Sequence, residues 1–525
     1  MDNFDELHTV SDLHLGGREG AEVFCSEREL AALIQWAANR ARGGRRVAFG
    51  ILGDIVDFLS FDGSGYFNPQ RAVEWLDEVA TKRPTKVVFE ALREFTAVAD
   101  ATLVLVLGNH DIELALPDVR QRLIDHCAGA NEQRVRVVFD GTGYECRVGG
   151  ERGATVLCLH GNERDKWNCI DHGALQRSVR SVRIGGLPAQ EVAPNAGTRL
   201  VIDALNKAKR QIPFIDLLQP EQEVALRVVL ALSEQERGVG LASALGPAAK
   251  IWSQLREDES RLARGTLGLE PTDDPLAALE VESDATSDLG SADARAAYVS
   301  DLFDKTEMRF ENSADPLDPK TIGSNGSLGL LDDAVRWFTR GSLPETLRRA
   351  IGVDDDGSDK PANNVLVGSA DASVEAIRSW VRKDRDVVIA GHTHVAKFIE
   401  TKRAGSVSSV FMNSGTWIRV IRLRPAWLDE PTFSSELMPG LLRRTMRELD
   451  AATVAGSPLV SHDRTVASVE PTENGAVVAR LRFVATLAAA DGANAAPPAA
   501  LDTRQLFRPT LERSCEVVSA PTGGR

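Results

Sequence analysis

The sequence has no run of about twenty uninterrupted apolar residues, so no helical membrane span is expected. Its six cysteines, at positions 25, 127, 146, 158, 169 and 515, show no CxxC spacing. Free or buried thiols in a reducing cytoplasm fit that scatter better than disulfides or a zinc cluster. The first residues, Met1-Asp2-Asn3-Phe4-Asp5-Glu6, are acidic and lack an apolar h-region, so no secretory signal is expected. No internal repeat at solenoid spacing is found. Positive charge is also in deficit: 61 Lys and Arg face 76 Asp and Glu, a formal net charge of −15. That balance repels a phosphate backbone and disfavours non-specific DNA binding, while leaving room for a local basic groove.

What the chain does have is length and ordinary apolar content, 525 residues with 43% hydrophobic, enough for two to four domains. From residue 7 to about 165 it alternates between strand and helix patterns, an α/β layering. Strands are expected at Leu7–Ser11, Arg46–Leu52, Ala101–Leu107, Val135–Phe139 and Ala154–Leu159. Ser26 with Glu29 reads as a capping box opening a helix whose apolar face carries Leu30, Leu33, Ile34 and Ala37. Residues 166–385 read as a mainly helical insertion, with helix-compatible spacing in Leu200–Lys209, Glu221–Leu232 and Asp332–Phe338. Inside it, about 257–327 is poor in large apolar residues and is expected to be a flexible acidic stretch, and Asp354–Asp359 a second such loop. Strand patterns resume at Asp386–Ala390, and Val407–Met412 and Trp417–Leu423 read as paired strands. The domain expectation is therefore a core from 1–165 and 386–425, the insertion at 166–385, and a C-terminal extension at 426–525. That extension carries a strand at Ala476–Val484 and an Ala-rich tail from about Ala485 to Ala500.

Five blocks rich in metal-binding and proton-transfer side chains occur in order: Asp12-Leu13-His14, Gly53-Asp54-Ile55-Val56-Asp57, Gly108-Asn109-His110-Asp111, His160-Gly161-Asn162 and Gly391-His392-Thr393-His394. Most follow an apolar β-branched run directly, which places them on loops at the ends of buried strands. Any one block alone is a common turn; the ordered set is not. Mixed carboxylate, imidazole and amide donors with a carboxylate free to bridge are what two divalent ions about 3.5–4 Å apart require.

The set resembles the motifs of the calcineurin-like metallophosphoesterases. The resemblance implies a four-layer α/β/β/α sandwich, here with the large mainly helical insertion. It implies that Asp12, His14, Asp54 and His394 hold a first metal, with Asp54 bridging, and that Asn109, His160 and His392 complete a second. Mn²⁺ is the first expectation, with Fe or Zn²⁺ as alternatives. His110 is implied to act on the scissile bond as a general acid, oriented by Asp57. Of the remaining histidines, His8 is read as a strand residue, His126 and His462 as structural or surface residues, and His172 is left open.

The chain departs from the common pattern in its fourth block, which reads His-Gly-Asn where many members have Gly-His. That order is similar to the bacterial branch cleaving UDP-diacylglucosamine, but that branch carries Arg in place of His110 and lacks the insertion. Arg18, Asn162, Arg164 and Lys166 are candidate substrate contacts, against the alternative of solvated loops. Arg177, Arg180 and Arg183 could form one basic helix face, though such stripes are commonly just solvated. The insertion leaves beside His160 and returns before His392, so it is expected either to cap the site or to bind partners. The leading function is hydrolysis of a small phosphorylated metabolite, nucleotide or pyrophosphate, with a DNA-end nuclease and a non-catalytic metal-binding scaffold as alternatives. No Arg-Gly follows Asp57, so the extended phosphoprotein phosphatase signature is missing. Oligomeric state is not legible.

Overall fold

The computed structural model describes residues 1–60, 66–165, 168–185, 192–199, 385–402, 408–443, 445–487 and 501–519, with 201–202, 206, 209 and 213–219. The insertion expected over 166–385, with its acidic stretch and Asp354–Asp359, lies mostly outside these residues, as do Lys166 and most of the Ala-rich tail. The chain divides into two units, one of Met1–Ala193, Pro361–Arg419 and His462–Arg525, the other of Pro194–Lys360 and Val420–Ser461.

Along the first unit run β1 (Asp2–Phe4), β2 (Glu6–Val10), α1 (Glu27–Arg42), β3 (Val47–Leu52), α2 (Pro69–Thr81), α3 (Lys86–Thr96) and β4 (Ala101–Val106). They are followed by α4 (Pro117–Ala128), β5 (Val135–Val138), β6 (Tyr144–Val148), β7 (Ala154–Cys158) and α5 (His172–Arg183). After the insertion come β8 (Val387–Ala390), β9 (Lys397–Lys402), β10 (Ser408–Asn413), β11 (Thr465–Pro471), β12 (Val477–Val484) and β13 (Phe507–Val518). Two sheets result, in the orders β13-β12-β11-β2-β3-β4-β5 and β1-β6-β7-β8-β10-β9.

Strands β2 to β5 are parallel, and their period-two alternation feeds two different cores. In β3 and β4, Val47, Phe49, Ile51, Leu103 and Leu105 face a core shared with Leu30, Leu33 and Ile34 of α1 and with α2, α3 and α4. Ala48, Leu52, Val104 and Val106 point the other way, into a second core with Cys146, Val156, Val387 and Met412 of the six-stranded sheet. The layering is thus helices, sheet, sheet, a mixed α/β fold consistent with three of the four layers expected. Beyond it, the outer face of the six-stranded sheet buries Leu157, Val388, Ile399 and Phe411.

Long-range pairing departs from local expectation in several places. Ser26 does precede α1, but its side chain makes no cap bond. Its hydroxyl accepts from Arg464 Nε at 2.8 Å, and Glu29 accepts from the Leu487 amide at 3.1 Å, so both capping groups are taken by the C-terminal segment. The pairing expected between 407–412 and 417–423 does not form: β10 joins β9 and β8, whereas Ile421 and Arg422 pair with Leu218 and Gln219. β11, antiparallel to β2, brings β12 and β13 into the core sheet of the first unit. His8 lies on β2 as expected, fully buried, with Ser468 at 2.9 Å, Glu6 at 3.2 Å and its ring edge-on to Trp36.

In the second unit, Thr453–Val454 and Ser457–Pro458 form a short antiparallel pair, and a Thr445–Glu448 capping box starts the helix Met446–Ala451. Among the described residues no helix is long and apolar enough to cross a membrane.

Candidate metal centre

The five motif blocks follow the carboxyl ends of β2, β3, β4, β7 and β8, so both sheets deliver side chains to one place. The first two blocks continue the pairing of their strands: Leu13 and His14 amides donate to the Asp54 carbonyl at 3.0 and 2.8 Å, and Leu15 to that of Ile55 at 2.9 Å. Asp111 ties the second block to the third, accepting from the Ile55 amide and the Gly108 amide, each at 2.7 Å. The fifth block is tied to the first by the His392 amide, which donates to Asp12 Oδ2 at 2.9 Å. Asn413 and Thr416 brace the same junction by donating to the Gly391 and Asp12 carbonyls at 2.6 and 2.9 Å.

Left-handed backbone is rare for residues with a side chain, and its cost is retained mainly where function needs the geometry. Asp12, His14, Asp54, His392 and His394 all adopt it, with φ between 45° and 70°. Elsewhere among the described residues only Phe67, Ala455 and Arg464 do so without being glycine. The turns admit little bulk: a β-carbon on Gly108 would run into the Asp54 carboxylate and backbone nitrogen. A β-carbon on Gly53, at φ +85°, would run just as closely into the His160 ring.

The side chains converge. Asp12, His14 and His394 can each offer a ligand atom within 4.8 Å of one another, and so can Asp12, Asp54 and His160. His14 Nε2 and His394 Nε2 lie 3.2 Å apart, a spacing at which two imidazole nitrogens must share a proton or a cation. Asp54 Oδ2 is 3.3 Å from His160 Nε2 and 3.6 Å from His14 Nε2, central to both groups. His160 donates through Nδ1 to the Leu52 carbonyl at 2.8 Å, which leaves Nε2 facing Asn109 Oδ1 at 3.1 Å. This backbone anchor is how metal-ligating imidazoles are commonly held.

Charges are strongly coupled here. Burial works to raise the Asp54 carboxyl, but His160 and His110 hold it well below the usual carboxylate range. Burial, then His110, pushes His14 down to about 4, leaving its lone pair available. His160 is drawn up to about 10 against its burial, chiefly by Asp54. Such a pocket favours positive charge beside Asp54, and its donor set fits divalent cations.

His110 stands apart from these groups in its bonding. Its Nδ1 lies 3.1 Å from Asp57 Oδ1, which also accepts from the Leu59 and Ser60 amides at 3.1 and 3.2 Å. His14, Asp57 and His110 nonetheless form a further group with ligand atoms within 4.8 Å. His392 is bonded differently again, with Nε2 at 2.8 Å from Asp165 Oδ2.

Among the candidate substrate contacts, Arg18 stands exposed. Asn162 is turned inward, 2% exposed, its amide donating to the Asn168 carbonyl at 3.0 Å. The Arg164 side chain lies outside the described residues, as does Lys166. Arg177, Arg180 and Arg183 are exposed along α5. His126 pairs with Asp77 at 2.6 Å, His462 lies 3.6 Å from Cys25, and His172 opens α5. Asp111 and Asp165 belong to this site and carry no role in the motif reading. Asp111 was visible beside His110, whereas nothing local marks Asp165 as the partner of a residue 227 positions away.

A strand-end cluster of buried carboxylates and imidazoles on an α/β sandwich is a donor set suited to divalent cations, as metal-dependent hydrolysis requires. Residues 8–196 match the family described as calcineurin-like phosphoesterase, a family of metal-dependent phosphohydrolases. The match ends before the fifth block, which the fold itself brings to Asp12. A search of curated proteins gave no match.

Proposed function

We propose that the chain is a dinuclear metal-dependent phosphoesterase acting on a small phosphorylated metabolite, nucleotide or pyrophosphate. The observation that carries the reading is the convergence of Asp12, His14, Asp54, His160 and His394 in two overlapping donor groups, buried and largely on left-handed backbone. Asp12, His14, Asp54 and His394 would hold one ion and Asp54, Asn109, His160 and His392 the other, with Mn²⁺ favoured and Fe or Zn²⁺ compatible with the donors. Two such ions supply an activated water and neutralise the phosphoryl oxygens.

The protein's own part is positioning and proton supply. Asp57 takes the Nδ1 proton of His110 in a hydrogen bond, so Nε2 is the nitrogen left to protonate the departing oxygen. Asp111 locks the two loops that carry Asp54 and His110. A net charge of −15 suits a small substrate better than a nucleic-acid backbone.

The test is hydrolysis of bis-p-nitrophenyl phosphate by metal-stripped protein with and without Mn²⁺. Asp54→Asn should lose metal and turnover together. His110→Asn should keep its metal and lose roughly 10²–10⁴-fold in turnover. Metal-independent turnover, or full turnover by His110→Asn, would refute the assignment.

A further inference from the structure

His392 is held by a loop that also supplies His160. After His160 the chain turns through Gly161, at φ 116°, whose amide donates to Glu163 Oε2 at 2.9 Å. The Asp165 amide donates to the Asn162 carbonyl at 3.1 Å, and the Asn168 amide to the Asp165 carbonyl at 3.0 Å. Asn162 and Asn168 are both buried, and Asn162 closes the turn through the Asn168 carbonyl. All this fixes Asp165, whose Oδ2 accepts from Asn168 Nδ2 at 2.7 Å and from His392 Nε2 at 2.8 Å.

An ionised carboxylate can only accept, so the proton of this bond belongs to His392 Nε2. The imidazole then keeps its lone pair on Nδ1. A carboxylate behind a ligating histidine fixes its tautomer and ring orientation and raises its basicity.

We propose that Asp165 is a positioning residue that holds His392 in the Nε2–H tautomer, so that Nδ1 is the nitrogen offered to the second metal ion. The proposal rests on the metal-site reading above. It also gives the unusual fourth block a purpose, since one loop provides a ligand and sets the orientation of another. Asn162 and Asn168 serve that loop by folding it.

The experiment is Mn²⁺ titration of the full-length, metal-stripped protein by calorimetry, with bound metal counted, for wild type, Asp165→Ala, Asp165→Asn, His392→Ala and the Asp165→Ala/His392→Ala double variant. Thermal unfolding without metal is measured alongside. Wild type should bind two ions, and His392→Ala should weaken the second. Asp165→Ala should weaken that same ion by about 10–100-fold and leave the first unchanged. Asp165→Asn, which can still accept from Nε2–H, should restore most of the affinity. In the His392→Ala background, Asp165→Ala should cost nothing further.

Unchanged affinity in Asp165→Ala overturns the proposal. So does a further loss in the double variant, which would make Asp165 act other than through His392. Weakening of both ions with a lowered metal-free melting temperature assigns it a purely structural role and overturns the proposal as well. A wild type that binds no Mn²⁺ overturns the metal-site reading itself and this proposal with it.

Discussion

Asp57→Asn isolates charge from geometry at the proposed general acid. Asp57 is 6% exposed, and its Oδ1 accepts from His110 Nδ1 and from the Leu59 and Ser60 amides. An asparagine can present its carbonyl oxygen to the same donors, so the loop should keep its shape. What disappears is the negative charge behind His110. A hydrogen bond to a charged group contributes about 1.5–3 kcal/mol net and a neutral one about 0.5–1.5, so the loss is on the order of 1–2 kcal/mol. If that difference is felt when His110 carries its proton into the reaction, kcat should fall about 5–30-fold with bound Mn²⁺ unchanged. Alanine would be a poorer probe, because it strands the buried donors at about 1–3 kcal/mol each and confounds catalysis with folding. The assay is kcat at saturating Mn²⁺ together with metal counting. An unchanged kcat would show that Asp57 does not support His110. Loss of metal would show that the His14, Asp57 and His110 group is itself a metal site and that Asp57 is not simply the support of His110.

Two further substitutions probe the frame around the site. Gly108→Ala should abolish metal binding and lower the melting temperature, because the new methyl meets Asp54 backbone as well as its carboxylate and only a moved loop can relieve it; near-normal metal affinity would contradict this. Glu113→Gln tests a buried carboxyl that burial pushes up to about 7 from 4.5 and whose Oε1 accepts from the Phe67 amide. Between about pH 4.5 and 7 the folded chain keeps this proton while the unfolded chain has released it. Stability should therefore fall as pH rises through that window, on the order of 3 kcal/mol in all, and level off above it. Asp111, also pushed up to about 7, titrates in both proteins, so the readout is the difference between variant and wild-type urea midpoints. That difference should grow in favour of the variant from pH 4.5 to 7, and a constant difference would refute the assignment.

How much of this was legible depends on how local each signal is. Asp54 follows Val47–Leu52, and Asn109 follows Ala101–Val106, so an apolar run and a motif in the same stretch of text announce both strand and ligand. β13 offers no such run: Arg513, Glu512 and Glu516 crowd it, and it is a strand because β12 presents a free edge to pair with. Ser26 and Glu29 show the opposite failure. Their spacing is right for a capping box, yet Arg464 and Leu487 arrive from the far end of the chain and take both groups. Local preference of about 1 kcal/mol yields when buried long-range partners must also be satisfied.

The same contrast separates the ligands from the residues that orient them. Asp12, His14 and Asp54 carry their chemistry in their identity, and only their left-handed backbone was hidden, because it is imposed by the crossing of the loops. Asp111 and Asp165 are ordinary acids until the fold decides which donors face them. Asp111 meets the amides of Ile55 and Gly108, and Asp165 meets the imidazole of His392. The fifth block belongs to the site for the same reason. Its His392 amide reaches the carboxylate of Asp12 across 380 residues, and no spacing within the block could have shown which carboxylate would accept it.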